Sequence, residues 1–173
     1  MKKVDIRLDN VFGENSDKIG SPIEHKKRLG DGRPSSMVYN DRGLSSRQKK
    51  ILLLLKEAED RIIVPRSSVD MVDLAALTLE TGVEFAMFTK GSERLVIRGR
   101  RGYIDFNIED AKELNAQGYR WSGHTHPGIG DECLMESSED VGILECFDQT
   151  QSVVYNARGK HRTFGKGWRE NDE

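Results

Sequence analysis

Two histidines stand one residue apart in the segment WSGHTHPGIGDECLMESSED, residues 121–140. Side chains two positions apart in a β-strand point to the same face, so His124 and His126 can direct both imidazole rings at one metal ion. Two histidines, one carboxylate and a water molecule form an open, catalytic type of zinc site. The spacing predicts a metal centre. The alternative is a pair of surface or hydrogen-bonded histidines at the end of a strand.

The residues after the histidines offer the third ligand. Pro127, Gly128 and Gly130 favour a turn that ends the strand. The segment SSED, residues 137–140, then favours the first turn of a helix, which can place a carboxylate beside the two imidazole rings. This order of strand, turn and helix strengthens the prediction of a metal centre.

Glu84 is a candidate for proton transfer. It lies in the mainly apolar segment VEFAMFTK, which predicts a strand. Burying an ionised carboxylate without a partner costs free energy, so a buried Glu84 requires a functional explanation. The alternative is that Glu84 ends the turn before the strand and points to solvent.

The sequence around these residues predicts an α+β domain. Segments that combine a capping residue with apolar positions predict helices at 45–61, 68–82, 108–118 and 137–147. Short apolar runs between turn residues predict strands at 83–90, 94–99, 102–108 and 119–126, and a hairpin within 151–165. Helices that flank a mixed, largely antiparallel central sheet form an α+β or αβα sandwich.

The 173 residues, 36% of them hydrophobic, suffice for the core of one ordinary domain. Residues 10–43 are rich in glycine, serine, asparagine and charge, and they show no periodic apolar pattern. We therefore expect residues 1–44 to form an irregular N-terminal arm or linker, residues 45–168 one domain and residues 169–173 a frayed tail.

Charge and composition narrow the function classes. The 27 lysines and arginines nearly balance the 29 aspartates and glutamates, so we expect neither a nucleic acid nor a membrane as partner. No apolar run approaches the roughly 20 residues of a membrane span, and the N-terminus MKKVDIRLDN lacks the apolar stretch of a signal peptide. We expect a cytoplasmic protein, or a domain delivered as part of a larger exported or phage protein.

Taken together, these features resemble the JAMM (MPN+/Jab) metalloprotease family in its prokaryotic or phage type. The family signature is a strand glutamate, then H-[S/T]-H-P, then S-x-x-D. In this chain the signature reads Glu84, HTHP at 124–127 and SSED at 137–140. The resemblance covers roughly residues 69–165 and implies a JAMM/cytidine-deaminase-like αβα sandwich.

The resemblance also implies a role for each residue of the signature. A zinc ion would be held by His124, His126 and Asp140. Glu84 would act as general base and then as general acid, and Ser137 would donate a hydrogen bond to the oxyanion of the reaction. The substrate would be a protein or peptide, cleaved at a peptide or isopeptide bond, with the C-terminal tail of a ubiquitin-like protein as the family preference.

One departure from the family concerns the loop before the serine. The family usually has seven residues between the second histidine and the serine, whereas this chain has the ten residues 127–136. Within that loop three acidic residues compete as ligands: Asp131, Glu132 and Glu136. We prefer Asp140, because it alone stands three residues after a serine at the start of a helix.

Two other functions are compatible with part of this sequence pattern. Domains of this superfamily that lack hydrolytic activity serve as binding scaffolds, so a non-catalytic zinc-bearing scaffold is one alternative. Calcineurin-like metallophosphoesterases also carry a GHTH segment, but they need the upstream motifs D-x-H and G-N-H-[D/E], and neither occurs here. His25, in the segment IEHKKR, is the only histidine before the pair.

Overall fold

The computed structural model describes residues 6–7, 43–135 and 137–165. Most of the predicted N-terminal arm and all of the predicted tail lie outside these residues. Glu136, one of the competing ligands, also lies outside them.

The fold is α+β and is built on a mixed, mostly antiparallel sheet. Its strands are β1 (Ile6–Arg7), β2 (Arg61–Pro65), β3 (Phe85–Lys90), β4 (Glu93–Arg98), β5 (Arg120–His126), β6 (Gln151–Asn156) and β7 (His161–Gly165). Their order across the sheet is β1-β2-β4-β3-β5-β6-β7. Only the pairs β1–β2 and β5–β6 are parallel. The α+β class predicted from the sequence is confirmed.

Four α-helices occur in the described residues: α1 (Ser46–Leu54), α2 (Met71–Thr81), α3 (Ile108–Ala116) and α4 (Ser138–Cys146). Each begins with a capping box, in which the side chain before the helix accepts a hydrogen bond from a backbone N–H of the first turn. The capping residues are Ser45, Asp70, Asn107 and Ser137. None of these helices has the length and apolar character needed to cross a bilayer.

Helices cover both faces of the sheet. On one face, α1 and α2 bury the apolar residues Ile51, Leu55, Leu74 and Leu77 against Phe85, Met87 and Val96 of the strands. On the other face, α3 and α4 bury Ala111, Leu114 and Leu144 against Ala86, Phe88, Trp121 and Val154. Neighbouring residues of β3 therefore point to opposite cores, as the two-residue period of a strand requires.

The first predicted helix ends earlier than expected. It was predicted to run to residue 61, but α1 ends at Leu54 and Arg61–Pro65 forms β2. This strand pairs antiparallel with β4, and its residues Ile62, Ile63 and Val64 are buried. Burial of these apolar side chains between two layers of helices outweighs the local helical preference of the preceding charged residues.

The predicted strand at 102–108 is wrong. Strand β4 already pairs with β2 on one side and β3 on the other, so no edge of β4 is left for a third strand of a meander. The chain instead turns back, with the N–H of Arg100 donating to the carbonyl of Tyr103. Ile104 and Phe106 then pack against the core beside α3 and α4 as irregular chain.

A bulge in β5 determines which of its side chains face α4. Phe88 of β3 pairs with Trp121, whereas Met87 pairs with Gly123 and Ala86 with His124, so Ser122 is an extra residue in the ladder. Because of this extra residue, Trp121 and His124 share one face although they are three positions apart.

Thr125, between the two histidines, points to the opposite face and is fully buried. Its hydroxyl oxygen accepts a hydrogen bond of 2.9 Å from the N–H of Phe85, and it lies 2.5 Å from the hydroxyl oxygen of Thr78 on α2. Thr125 thus fastens the end of β5 to both β3 and α2.

We expect Thr125→Val to lower the free energy of unfolding by about 1–3 kcal/mol, because the buried N–H of Phe85 loses its acceptor. Thr78→Val is the matched control: it keeps that acceptor and should cost only about 0.5–1.5 kcal/mol. Urea denaturation followed by circular dichroism measures both. An equal or larger loss for Thr78→Val would contradict the role given to Thr125.

Candidate metal centre

The end of β5 and the start of α4 bring three potential ligands together. His124 and His126 lie on β5, and Asp140 lies in the first turn of α4. The Nε2 atoms of the two histidines are 3.1 Å apart. Oδ2 of Asp140 is 3.2 Å from Nε2 of His124 and 3.8 Å from Nε2 of His126. The structure therefore assembles the three residues that the sequence predicted as ligands.

These distances fit a tetrahedral ion. Zinc bonds of about 2.0–2.2 Å in tetrahedral geometry place neighbouring ligand atoms roughly 3.3–3.6 Å apart. The three distances of 3.1, 3.2 and 3.8 Å bracket this range. Two imidazoles and one carboxylate suit zinc, and three protein ligands leave a fourth position for water or substrate.

A backbone carbonyl orients His126. Its Nδ1 lies 2.9 Å from the carbonyl oxygen of Cys133, so the N–H at Nδ1 donates to that oxygen and Nε2 keeps its lone pair. Burial and the neighbouring His124 lower the pKa of His126 below its ordinary value of 6.5. At neutral pH His126 is therefore the neutral imidazole that metal ligation needs.

Ring packing orients His124, which is only 2% exposed. Its ring stacks on Trp121 with centroids 5.0 Å apart and meets the edge of Phe164 at 5.7 Å. Its Nδ1 atom has no hydrogen-bond partner in the described part of the chain. At the Nδ1 side of the ring, aromatic packing rather than a hydrogen bond therefore holds the imidazole.

The capping box of α4 fixes Asp140. Its backbone N–H donates to Oγ of Ser137 at 3.1 Å, and its Oδ2 accepts from the N–H of Ser137 at 2.9 Å. Burial by itself raises the pKa of Asp140, but His124, the backbone of Ser137 and His126 together lower it to about 2. Asp140 is therefore ionised at neutral pH, which is the ligating form.

Two of the competing loop residues, Asp131 and Glu132, lie outside the group of potential ligands. Asp131 is 78% exposed and pairs with Lys160 at 3.0 Å. Glu132 is exposed and does not belong to the group of ligand atoms that lie within 4.8 Å of one another. Cys133, the thiol in this loop, contributes its carbonyl to His126 and is also outside that group.

The described part of the loop, residues 127–135, has a defined conformation. Asp131–Leu134 form a 3-10 turn, and Leu134 within it is buried. Asn156, at the end of β6, is fully buried and donates from Nδ2 to the carbonyls of Ile129 and Gly130, both at 3.3 Å. Asn156 was not identified from the sequence. Asparagine is common next to hairpin turns, so its position gave no sign of a contact with the loop.

Glu84 lies in the same cavity as the three ligands. The sequence left open whether it is buried or points to solvent, and its exposure of 9% settles that question in favour of burial. Its N–H donates to the carbonyl of Arg100, and its own carbonyl accepts from Gly99, which extends the β3–β4 pairing by one residue. Burial, followed by the charge of Asp140, raises the pKa of Glu84 from 4.5 to about 8.

The cavity that contains these groups has a volume of about 730 Å³. His124, His126 and Asp140 line it, as do the two other predicted site residues, Glu84 and Ser137. The irregular segment that replaces the expected third strand of the meander also lines the cavity. All five residues singled out in the sequence are therefore neighbours in space.

Comparison of this chain with protein-family models, with curated proteins and with solved structures gave no match.

We expect the purified protein to hold about one zinc ion per chain. His124→Ala, His126→Ala and Asp140→Asn should each reduce that content to a small fraction, because each leaves only two ligands. Asp140→Asn keeps an oxygen that accepts from Ser137, so the start of α4 is retained. Elemental analysis after dialysis, with circular dichroism as the check on folding, measures the effect.

Two substitutions are controls for the zinc measurement. Asp131→Ala removes a loop carboxylate and His161→Ala an exposed histidine, and both variants should keep their zinc. Loss of zinc from Asp131→Ala but not from Asp140→Asn would mean that the loop supplies the third ligand. Two tightly bound ions per chain would contradict the mononuclear centre.

In the presence of a chelator, we expect the free energy of unfolding of Glu84→Gln to exceed that of wild type by an amount that grows between about pH 4.5 and pH 8. In this range the folded wild-type protein keeps a proton on Glu84 that the unfolded chain releases, so its stability falls as pH rises. Glutamine carries no such charge, and the gain at pH 8 should be on the order of 1 kcal/mol or more. Urea denaturation across this pH range measures it.

Glu80→Gln is the matched control, because Glu80 lies on the exposed side of α2 one turn earlier in the chain. It should give no comparable pH-dependent gain. The prediction is contradicted if the free energies of unfolding of Glu84→Gln and wild type differ by the same amount at every pH. Folding would then leave the ionisation of Glu84 unchanged.

Proposed function

We propose that this chain is a zinc-dependent hydrolase of the JAMM type that cleaves a peptide or isopeptide bond. The observation that carries the proposal is the convergence of His124, His126 and Asp140 beside the buried Glu84. Three ligands and a carboxylate with a raised pKa are the parts that metal-assisted amide hydrolysis requires.

The fold supports the same proposal. Helices lie on both faces of a mixed sheet, and the glutamate, the histidine pair and the helix that carries Asp140 follow one another in the order of the family signature. We infer a JAMM/cytidine-deaminase-like sandwich. The three extra residues before Ser137 are accommodated by the 3-10 turn Asp131–Leu134, which leaves Ser137 and Asp140 at the start of α4.

A zinc ion held by His124, His126 and Asp140 would polarise a water molecule and the carbonyl of the cleaved bond. Glu84, which lines the same cavity, would accept the proton of that water and return it to the departing amine. The raised pKa favours holding the proton between these two transfers, while the positive charge of a cation at the cluster would favour its release. Glu84 thus lies in an environment that supports both forms of its carboxyl group.

Ser137 would stabilise the developing oxyanion. Its Oγ accepts from the N–H of Asp140, which occupies a lone pair and leaves the hydroxyl hydrogen available to donate. The residue lines the same cavity as the three ligands. A donor that is already fixed by a capping box needs little rearrangement during the reaction.

The substrate class is taken from the resemblance. The tail of a ubiquitin-like protein is the substrate to test first. The same chain could be a toxin, effector or phage-associated domain. A zinc-bearing scaffold without hydrolytic activity would keep the three ligands but would not need a buried, protonatable Glu84.

We expect Glu84→Gln to keep the fold and the zinc content while its rate of hydrolysis falls by about 100-fold to 10,000-fold, because the amide cannot carry the proton. The assay offers ubiquitin-like fusions, isopeptide-linked dimers and unstructured peptides, and it follows product formation by mass spectrometry. Zinc content is measured on the same samples.

Glu80→Gln is again the matched control and should hydrolyse at the wild-type rate. A Glu84→Gln protein that cleaves as fast as wild type would rule out Glu84 as the acid and base. A wild-type protein that holds zinc but cleaves none of these substrates would favour the binding scaffold.

A further inference from the structure

We propose that the apolar part of the cavity that contains the candidate metal centre is a side-chain pocket that selects a large apolar residue next to the cleaved bond. This inference rests on the proposed hydrolase function and names the substrate class of the same site. It predicts that a substrate with phenylalanine or leucine at this position is preferred over one with glycine.

Each reactive group has an apolar neighbour in the same cavity. On β3, Glu84 is followed on the same face by Ala86, which pairs in register with His124. On α4, Ile143 lies about one helical turn beyond Asp140 and also lines the cavity. The apolar surface therefore begins directly beside the metal ligands, where a side chain flanking the cleaved bond would lie.

The wall is made of apolar side chains from four parts of the fold: β3, the segment after β4, β5 and α4. These residues are Ala86, Phe88, Ile104, Phe106, Trp121 and Ile143. Ile104, Phe106 and Ile143 pack against the core but are only half-buried. Covering the remaining apolar surface with a ligand side chain is favourable, because it removes that surface from water.

The cavity is also large enough for such a side chain. Its volume of about 730 Å³ lies within the range of roughly 300–1,000 Å³ that is typical of small-molecule sites. Glycine at this position would leave the apolar wall uncovered. Full burial of a phenylalanine or leucine side chain corresponds to roughly ten-fold to 100-fold in affinity.

The experiment measures binding separately from hydrolysis. Zinc-loaded Glu84→Gln protein is titrated with two fluorescein-labelled peptides, Gly-Gly-Phe-Gly-Gly and Gly-Gly-Gly-Gly-Gly, and the Kd of each is determined by fluorescence anisotropy. We expect the phenylalanine peptide to bind at least about ten-fold more tightly. Wild-type protein is given the same peptides, and we expect cleavage at a bond next to phenylalanine.

Ile143→Phe, made in the Glu84→Gln background, places a larger side chain in the pocket and should bring the two Kd values close together. The matched control is Ile108→Phe, because Ile108 is 52% exposed on α3 and does not line the cavity. Should Ile143→Phe fail to fold, Phe106→Ala tests the same wall by removing part of it. The zinc content of every variant is measured to check that the metal centre is intact.

Equal Kd values for the two peptides in the Glu84→Gln protein would overturn the pocket. The pocket would also be overturned if Ile108→Phe changed the ratio of the two Kd values as much as Ile143→Phe does. If the phenylalanine peptide binds more tightly but wild-type protein cleaves neither peptide, the pocket is supported and the hydrolase proposal fails. The two proposals can therefore fail independently.

Discussion

The structure depends on how β5 is held between β3 and β6. Antiparallel pairing with β3 and parallel pairing with β6 fix both edges of this strand, and the buried hydroxyl of Thr125 fastens its end to α2. The alternation of side chains along the strand then leaves His124 and His126 on the face toward α4. The two histidines of the candidate metal centre are accordingly positioned by backbone pairing, which is stiffer than a loop and suits a site that needs defined ligand distances.

Two carboxyl groups in one cavity have opposite electrostatic environments. Hydrogen bonds and the nearby imidazoles hold the pKa of Asp140 at about 2, whereas burial and the charge of Asp140 raise the pKa of Glu84 to about 8. One group is suited to be a permanently ionised ligand and the other to exchange a proton. Such a separation of pKa values is a general way in which active sites assign different roles to chemically similar groups. Because Glu84 is buried, its carboxylate destabilises the folded protein whenever it is ionised without a cation nearby.

The sequence was sufficient to predict that His124, His126 and Asp140 converge, but not what surrounds them. The spacing of two between His124 and His126, and the serine three residues before Asp140, are local patterns that the structure realises as a strand and a capping box. The bulge at Ser122 and the tie from Asn156 to the loop depend on which strands become neighbours. Local propensity carries no information about that pairing. For the same reason, residues 102–108 have the composition of a strand but do not form one, because both edges of β4 are already paired.

The three candidate ligands and the apolar part of the cavity have a common neighbour in Trp121. Its ring stacks on His124, which has no hydrogen bond at Nδ1 to hold it, and it also lines the cavity next to Phe88. The ring can occupy this position only because the bulge turns it to the same face as the histidine. A side chain that fills the proposed pocket would therefore contact the ring that packs on the candidate ligand His124. Under the proposed function, this arrangement would link recognition of the substrate to the orientation of His124 through direct packing.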